Sequence, residues 1–248
     1  MPPLPPPTCV PPSDLLTFPP SLIPLFTPYL PTPPSPSHPL PFLTLTFATS
    51  LDSALSLGPG LRTVLSGPAS KAMTHFLRSR HAAILIGVNT TLADDPSLNC
   101  RLPSPSGTHT HPRPIILDPR ARWRPTPDAK VLALARAGHG LAPFVLVAEG
   151  TAVDAGVRDV VEGHGGRYIA VAVGEGGRFA WRNVLGVLQG EGLESVMVEG
   201  GGEEVVDAVV LTVAPTWVER GRAAARVEGG RWIPLGEDVV LCGRLKKD

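Results

Sequence analysis

The chain has 248 residues, 43% hydrophobic and 18% charged, with 22 Lys plus Arg against 22 Asp plus Glu. That length holds one or two domains, and the balanced charge argues against a general nucleic-acid binder or a polybasic membrane-surface protein. Three cysteines, Cys9, Cys100 and Cys242, stand far apart with no C-x-x-C pair, which excludes a disulfide framework and the common zinc spacings and fits the reducing cytoplasm.

Residues 1–41 hold 17 of the 30 prolines, and no Lys or Arg precedes Arg62. A secretory signal or a mitochondrial presequence needs positive charge that is missing here. Leu15–Leu30 is apolar, but Pro19, Pro20, Pro24 and Pro28 would each remove a backbone donor from a membrane-spanning helix. The composition therefore predicts a disordered or polyproline-II tail over 1–41, with a proline-rich ligand for an aromatic-lined domain as the alternative.

Residues 42–248 form the folded body. Phe42–Ala48 alternates threonines with apolar residues and predicts a strand. Ser70–Arg80 sets Met73, Phe76, Leu77 and Arg80 at helical spacing, with Ser66-Gly67-Pro68 as its entry. Ala82–Val88 is a short, bounded apolar run and predicts a buried strand. Pro114–Leu117, Phe144–Ala148, Tyr168–Val173, Ser195–Val198, Val209–Val213 and Val239–Cys242 read alike, and Asp128–Ala137 and Ala180–Gln189 carry helical periodicity. This alternation predicts an α/β domain around a largely parallel sheet covered on both faces. Such sheets bind ligands at the carboxyl ends of their strands.

Several strand ends carry candidate chemistry. Glu199-Gly200-Gly201-Gly202 follows a buried run, and Glu203–Val210 could open a helix. A glycine turn lets backbone N–H groups approach a phosphate, although a plain tight turn reads the same way. After Ala82–Val88 comes Asn89-Thr90-Thr91-Leu92-Ala93-Asp94-Asp95-Pro96. One helical turn there puts Thr90 and Asp94 on one face, where both can bond a polar ligand; a capped helix stopped by proline is the plain alternative. Arg78, Arg80 and Arg101 flank the same strand and suit a phosphate, or else are solvated surface charges. Asp118-Pro119-Arg120-Ala121-Arg122 is a second basic loop, suited to a ribose or a 2′-phosphate. His109 and His111 are weak evidence for a metal, and His75 and His81 flank a helix, at its surface or against the core. Gly163–Gly166 and Gly174–Gly177 read as turns. No G-x-S-x-G, Walker A or zinc-deaminase signature is present.

Taken in order, Ser66-Gly67-Pro68, Lys71–Arg78, Ala83–Val88, Leu92–Arg101, Pro112–Asp118, Val196–Gly201, Ala214-Pro215 and Pro234–Leu245 make a specific pattern. It resembles the fungal 2,5-diamino-6-ribosylamino-4(3H)-pyrimidinone 5′-phosphate reductases of riboflavin biosynthesis over roughly Pro41 to Leu245. It is similar also to the reductase half of the bacterial bifunctional deaminase–reductase.

The resemblance implies a dihydrofolate-reductase-like α/β fold with a mostly parallel central sheet and helices on both faces, a homodimer, and NADPH as hydride donor. It implies reduction of a ribosylamino group to ribitylamino, with hydride delivered to C1′ of an imine-like open form. Thr90 and Asp94 would hold the nicotinamide side of the cofactor, and Gly200, Gly201 and Gly202 would pass close to its phosphates. Arg78, Leu98, Arg101 and Glu199 would contact substrate, the arginines suiting its 5′-phosphate. No general acid is assigned, and no metal is expected. Two departures stand out: Ser50-Leu51-Asp52-Ser53-Ala54 lacks the basic residue of the family's S-L-D-[GS]-[KR], and the chain looks shortened after Gly202 and after Gly221. A catalytically impaired relative retaining the fold is therefore the alternative reading. A dihydrofolate reductase is disfavoured by Leu98-Asn99-Cys100-Arg101.

Overall fold

The computed structural model describes residues 15–35, 39–49, 67–103, 111–199, 206–213 and 227–245. Its frame is a nine-stranded sheet in the order β5-β4-β3-β2-β6-β1-β7-β9-β8. The strands are β1 (Phe42–Thr49), β2 (Ala83–Gly87), β3 (Arg113–Leu117), β4 (Phe144–Ala148), β5 (Arg167–Val171), β6 (Ser195–Glu199), β7 (Ala208–Val213), β8 (Val227–Leu235) and β9 (Asp238–Leu245). From β5 through β7 every pairing is parallel, and β9 joins antiparallel to both β7 and β8. The sheet is mostly parallel, as expected.

Parallel strands covered on both faces must be apolar on both, and β2 reads Ala-Ile-Leu-Ile with all four residues buried. Ile84 and Ile86 face one core with Val131, Leu132 and Val161, whereas Ala83 and Leu85 face another with Val184, Leu185 and Leu188. The helices that supply these covers are α4 (Lys130–Arg136), α5 (Ala155–Glu162) and α6 (Trp181–Gly190). Two elements escaped the sequence reading. Helix α5 is short, although Asp154 accepts a hydrogen bond from the Val157 N–H and so caps it. Strand β8 contains Gly229 and Gly230 and lacks clean alternation. The helix opening expected over Glu203–Val210 is not formed where the chain is described, because Ala208–Val210 already pairs with β1 as strand.

Helix α2 (Pro68–Arg78) lies over β1, β6 and β7 through Ala72, Met73, Phe76 and Leu77. Its amino end is held from the far edge of the sequence. The Asp238 carboxylate accepts from the Gly67 N–H at 2.8 Å and from the Ser70 hydroxyl at 2.6 Å.

The proline-rich segment departs from expectation. Residues 20–29 form a turn at Pro20–Leu22, the short helix α1 (Ile23–Phe26) and a turn at Thr27–Tyr29. Phe26 is fully buried and Phe18 and Tyr29 nearly so. Phe18 stacks on Phe76 of α2 with ring centroids 4.7 Å apart, and Phe26 meets Phe76 edge-on. Between Leu15 and Ser35 the segment is therefore part of the core and not a disordered tail; three aromatic side chains supply the buried area, and fixed proline dihedrals lower the entropy lost on folding. Among the described residues no helix is long and apolar enough to cross a membrane.

His81, just past α2, is buried. Its Nδ1–H donates to the Leu77 carbonyl and its Nε2 accepts from the Thr44 hydroxyl. Burial is the main cause that lowers its pKa from 6.5 to about 4. Between these values the unfolded chain takes up a proton that the folded chain refuses. The contribution is full above pH 6.5 and is lost as pH falls toward 4, up to about 3 kcal/mol. Urea titrations are expected to show the midpoint falling through that window, with a shallower fall in His81→Gln.

Candidate active site

At the carboxyl end of β2, Gly87 leads into α3 (Val88–Asp94). The helix sets Thr90 and Asp94 four residues apart, on one face. Thr90 is exposed. Asp94 is half-buried, and its Oδ1 is buried with no hydrogen-bond partner. A buried carboxylate oxygen without a donor is costly, so this atom is suited to a donor supplied by a ligand. The helix stops at Asp95, which takes the left-handed conformation with φ 42°, and Pro96 follows.

The loop after β3 leans on the start of α3. Asp118 accepts from the Trp123 N–H at 2.7 Å, Ala121 has φ 50°, and the Arg122 guanidinium donates to Asn89 at 2.8 Å. Arg120 and Arg122 are both exposed, and Arg122 meets the Thr90 helix through Asn89. Arg80 lies apart from them, over the Phe76 ring.

Seven residues beyond Asp94 the chain reaches Arg101. Leu98 is buried with φ 52°, a strained conformation for a leucine that the surrounding contacts enforce. Here the structure joins residues far apart in sequence. The Arg78 guanidinium straddles the Glu199 carboxylate, with Nη2 at 2.8 and 2.9 Å and Nε at 3.0 Å, and its Nη1 donates to the Asn99 carbonyl. This pair ties the end of α2 to the end of β6 and to the 98–101 turn. The same turn is gripped by His75, which is 4% exposed. His75 Nδ1 accepts from the Arg101 backbone N–H at 3.0 Å, and the His75 carbonyl lies 3.3 Å from the Cys100 thiol. Burial first, then the charges of Arg78 and Arg101, lowers the His75 pKa to about 3, so its ring is neutral at pH 7. Leu16 of the amino-terminal segment donates its backbone N–H to the Arg101 carbonyl.

Of the residues singled out from sequence, Arg78, Glu199, Leu98 and Arg101 therefore gather on the α2 side of the sheet, and Thr90 and Asp94 stand at the other end of the 94–101 segment. Gly200, Gly201 and Gly202, the Ser50–Ala54 stretch, His109 and the residues directly after Gly202 and Gly221, where the sequence reading expects the chain to be shortened, lie outside the described residues. His75 corrects the reading of a helix-flanking histidine: it sits inside α2 and contacts Arg101. Its spacing of three from Arg78, which puts both on one helix face, was the signal for it. Among the described residues no group of three His, Cys, Asp or Glu is placed to hold a metal.

Residues 41–229 match the family described as the RibD C-terminal domain. The chain is 42% identical to the 2,5-diamino-6-ribosylamino-4(3H)-pyrimidinone 5′-phosphate reductase of Eremothecium gossypii, an alignment covering 89% of this chain and 95% of that one. It is 34% identical to the reductase of the same name from Debaryomyces hansenii, covering 94% and 99%. Among solved structures it is similar to the Saccharomyces cerevisiae riboflavin biosynthesis reductase Rib7, with a TM-score of 0.73 and 29% identity over 91% of this chain and all of that one. It shares its fold with Acinetobacter baumannii RibD, with a TM-score of 0.68 at 22% identity over 85% of this chain and 60% of that one.

Proposed function

Because the chain belongs to the RibD C-terminal domain family, we propose that it reduces 2,5-diamino-6-ribosylamino-4(3H)-pyrimidinone 5′-phosphate to the ribitylamino form, with NADPH as donor. The observation that carries this reading is the 94–101 segment. It bears an unpartnered buried acceptor, Asp94 Oδ1, at one end and the Arg78–Glu199–Arg101 cluster at the other. A reductase needs two such stations side by side, one for a nicotinamide cofactor and one for a sugar phosphate.

The bound cofactor supplies a hydride. The residues of the chain bind and orient. Asp94 accepts from a donor group on the nicotinamide side, and Thr90 flanks it. Gly200, Gly201 and Gly202 are assigned to the cofactor phosphates. Arg120 and Arg122 favour a 2′-phosphate and hence NADPH over NADH. Arg101 takes the substrate phosphate. Glu199, locked by Arg78, accepts from sugar hydroxyls, and Leu98 lines the site. Reduction adds hydride to C1′ of the open imine, the C=N electron pair moves to nitrogen, and nitrogen gains a proton.

We further assign the enzyme as a cytoplasmic homodimer whose reductase unit starts at Phe42 in sequence and is completed by the 15–35 segment. The free thiols Cys100 and Cys242 fit a reducing compartment. The dimer is supported by the sheet face opposite α2. There Trp232 is 60% exposed and Val239 is exposed beside the half-buried Val213 and Leu241.

The test is NADPH oxidation by the full chain with the ribosylaminopyrimidine phosphate. Stoichiometric ribitylamino product and a preference for NADPH over NADH are expected. Tight NADPH binding without turnover would instead favour the impaired relative. Sedimentation of the same preparation at micromolar concentration is expected to give a dimer, and a monomer would remove that assignment.

A further inference from the structure

The 98–101 turn carries Leu98 at φ 52° and keeps that shape only through bonds to its surroundings. Arg78 of α2 donates to the Asn99 carbonyl, and His75 of α2 accepts from the Arg101 N–H. The Arg101 carbonyl accepts from the Leu16 N–H at 3.0 Å. The main chain of Arg101 is thus pinned on both sides of its Cα, by α2 and by the amino-terminal segment. The second pin has its own anchor. Leu15 and Thr17 are exposed, Leu16 is half-buried and Phe18 is buried, the alternation of an extended chain laid with one side on the core. Leu16 and Leu102, the residue after Arg101, both pack against the cluster of Phe18, Phe26 and Phe76. Phe18 stacks on Phe76, the neighbour of His75, and Pro19 and Pro20 fix the backbone directly after it. The Leu22 N–H then closes a turn on the Pro19 carbonyl at 3.0 Å.

We propose that the 15–35 segment is a positioning element for the sugar-phosphate station, with Leu16 as its point of contact. The Leu16 N–H fixes the main chain of Arg101, and with it the root from which the guanidinium reaches the phosphate. This rests on the reading of Arg101 as the phosphate ligand. A long side chain holds an anion best when its root is already fixed, because any freedom left to the backbone is lost on binding. The segment and the bound phosphate are therefore coupled. Such coupling is reciprocal: what the segment adds to phosphate affinity, bound phosphate returns as protection of the segment.

Leu16→Pro deletes the N–H and keeps an apolar side chain, whereas Leu16→Ala keeps the N–H. The probes are ribose 5-phosphate and ribose, titrated calorimetrically into the full chain, with turnover measured in parallel. Leu16→Pro is expected to weaken ribose 5-phosphate binding by about 3- to 10-fold, the worth of one neutral hydrogen bond. It is expected to leave ribose unaffected and to raise KM by the same factor with little change in kcat. Leu16→Ala is expected to recover most of the loss. NADPH affinity, unchanged in both variants, reports that they are folded. The wild-type chain supplies a second measurement, amide hydrogen exchange over residues 15–22 with and without saturating ribose 5-phosphate. The Leu16 amide is expected to exchange about 3- to 10-fold more slowly with ribose 5-phosphate bound, by the reciprocity above, and ribose is expected to change nothing. Equal ribose 5-phosphate affinity in wild type and Leu16→Pro overturns the proposal, as does Leu16 exchange that bound ribose 5-phosphate leaves unmoved; the segment is then a cover for α2 alone. If ribose 5-phosphate slows that exchange but no ribosylaminopyrimidine phosphate is reduced, the proposal stands and the reductase reading falls.

Discussion

Asp94→Ala is expected to weaken NADPH binding by about 10- to 100-fold while leaving sugar-phosphate binding nearly unchanged, and Arg101→Ala is expected to do the reverse. The first half follows from the Oδ1 atom that α3 holds buried and unpartnered. A hydrogen bond to a charged acceptor is worth about 1.5–3 kcal/mol, and each 1.4 kcal/mol is tenfold in affinity. Deleting the carboxylate removes that bond and creates no new buried orphan. The second half follows from the position of Arg101, which is bonded to His75 and joined through the 98–101 turn to the Arg78–Glu199 pair. Fluorescence titration with NADPH and calorimetry with ribose 5-phosphate, each on both variants, check the claim. Equal losses of both ligands in both variants would dissolve the division into two stations.

Phe26→Ala is expected to lower stability by about 3–5 kcal/mol, the usual cost of emptying a large aromatic site in a core. For a chain of this size that is roughly 10 °C in the thermal midpoint. Phe26 is fully buried in the cluster that contains Phe18, Met73, Phe76 and Leu77. Leu15→Ala is the internal control, since Leu15 is 42% exposed and should shift the midpoint by little. If the amino-terminal segment were a detachable tail, both variants would melt with the wild type. For the same reason a chain begun at residue 41 would leave Phe76 uncovered and melt early, so ligand titrations belong on the full chain.

Much of the fold was legible in the sequence because parallel strands covered on both faces must be continuous apolar runs. Ala82–Val88 and Phe144–Ala148 show this, and both strands formed within two residues of the expected ends. The amino-terminal segment was misread because proline density signals an extended tail, and that signal drowned three aromatics whose partners lie some 50 residues on in α2. The site was legible where it is local. Thr90 and Asp94 share a helix face by spacing alone, and Glu199 ends a strand. The bond from Arg78 to Glu199 spans 121 residues, and no periodicity carries such a contact. His75 was legible as a histidine against the core, and it is buried there, but it lies inside α2 and its contact with the Arg101 turn, 26 residues on, is not written in any local pattern.

The central position of β1 has a consequence for how the chain is made. Strand β1 leaves the ribosome early, yet its neighbours on both sides are β6 and β7, and Phe42 pairs with Ser195. Some 150 residues must be synthesised before β1 finds either partner, about 8–30 s at ordinary elongation rates. Through that interval Phe42-Leu43-Thr44-Leu45-Thr46-Phe47 is an unpaired strand of high β-propensity and no charge, the composition that recruits other nascent chains edge to edge. A lower growth temperature, which slows chain association, is therefore expected to raise the soluble fraction.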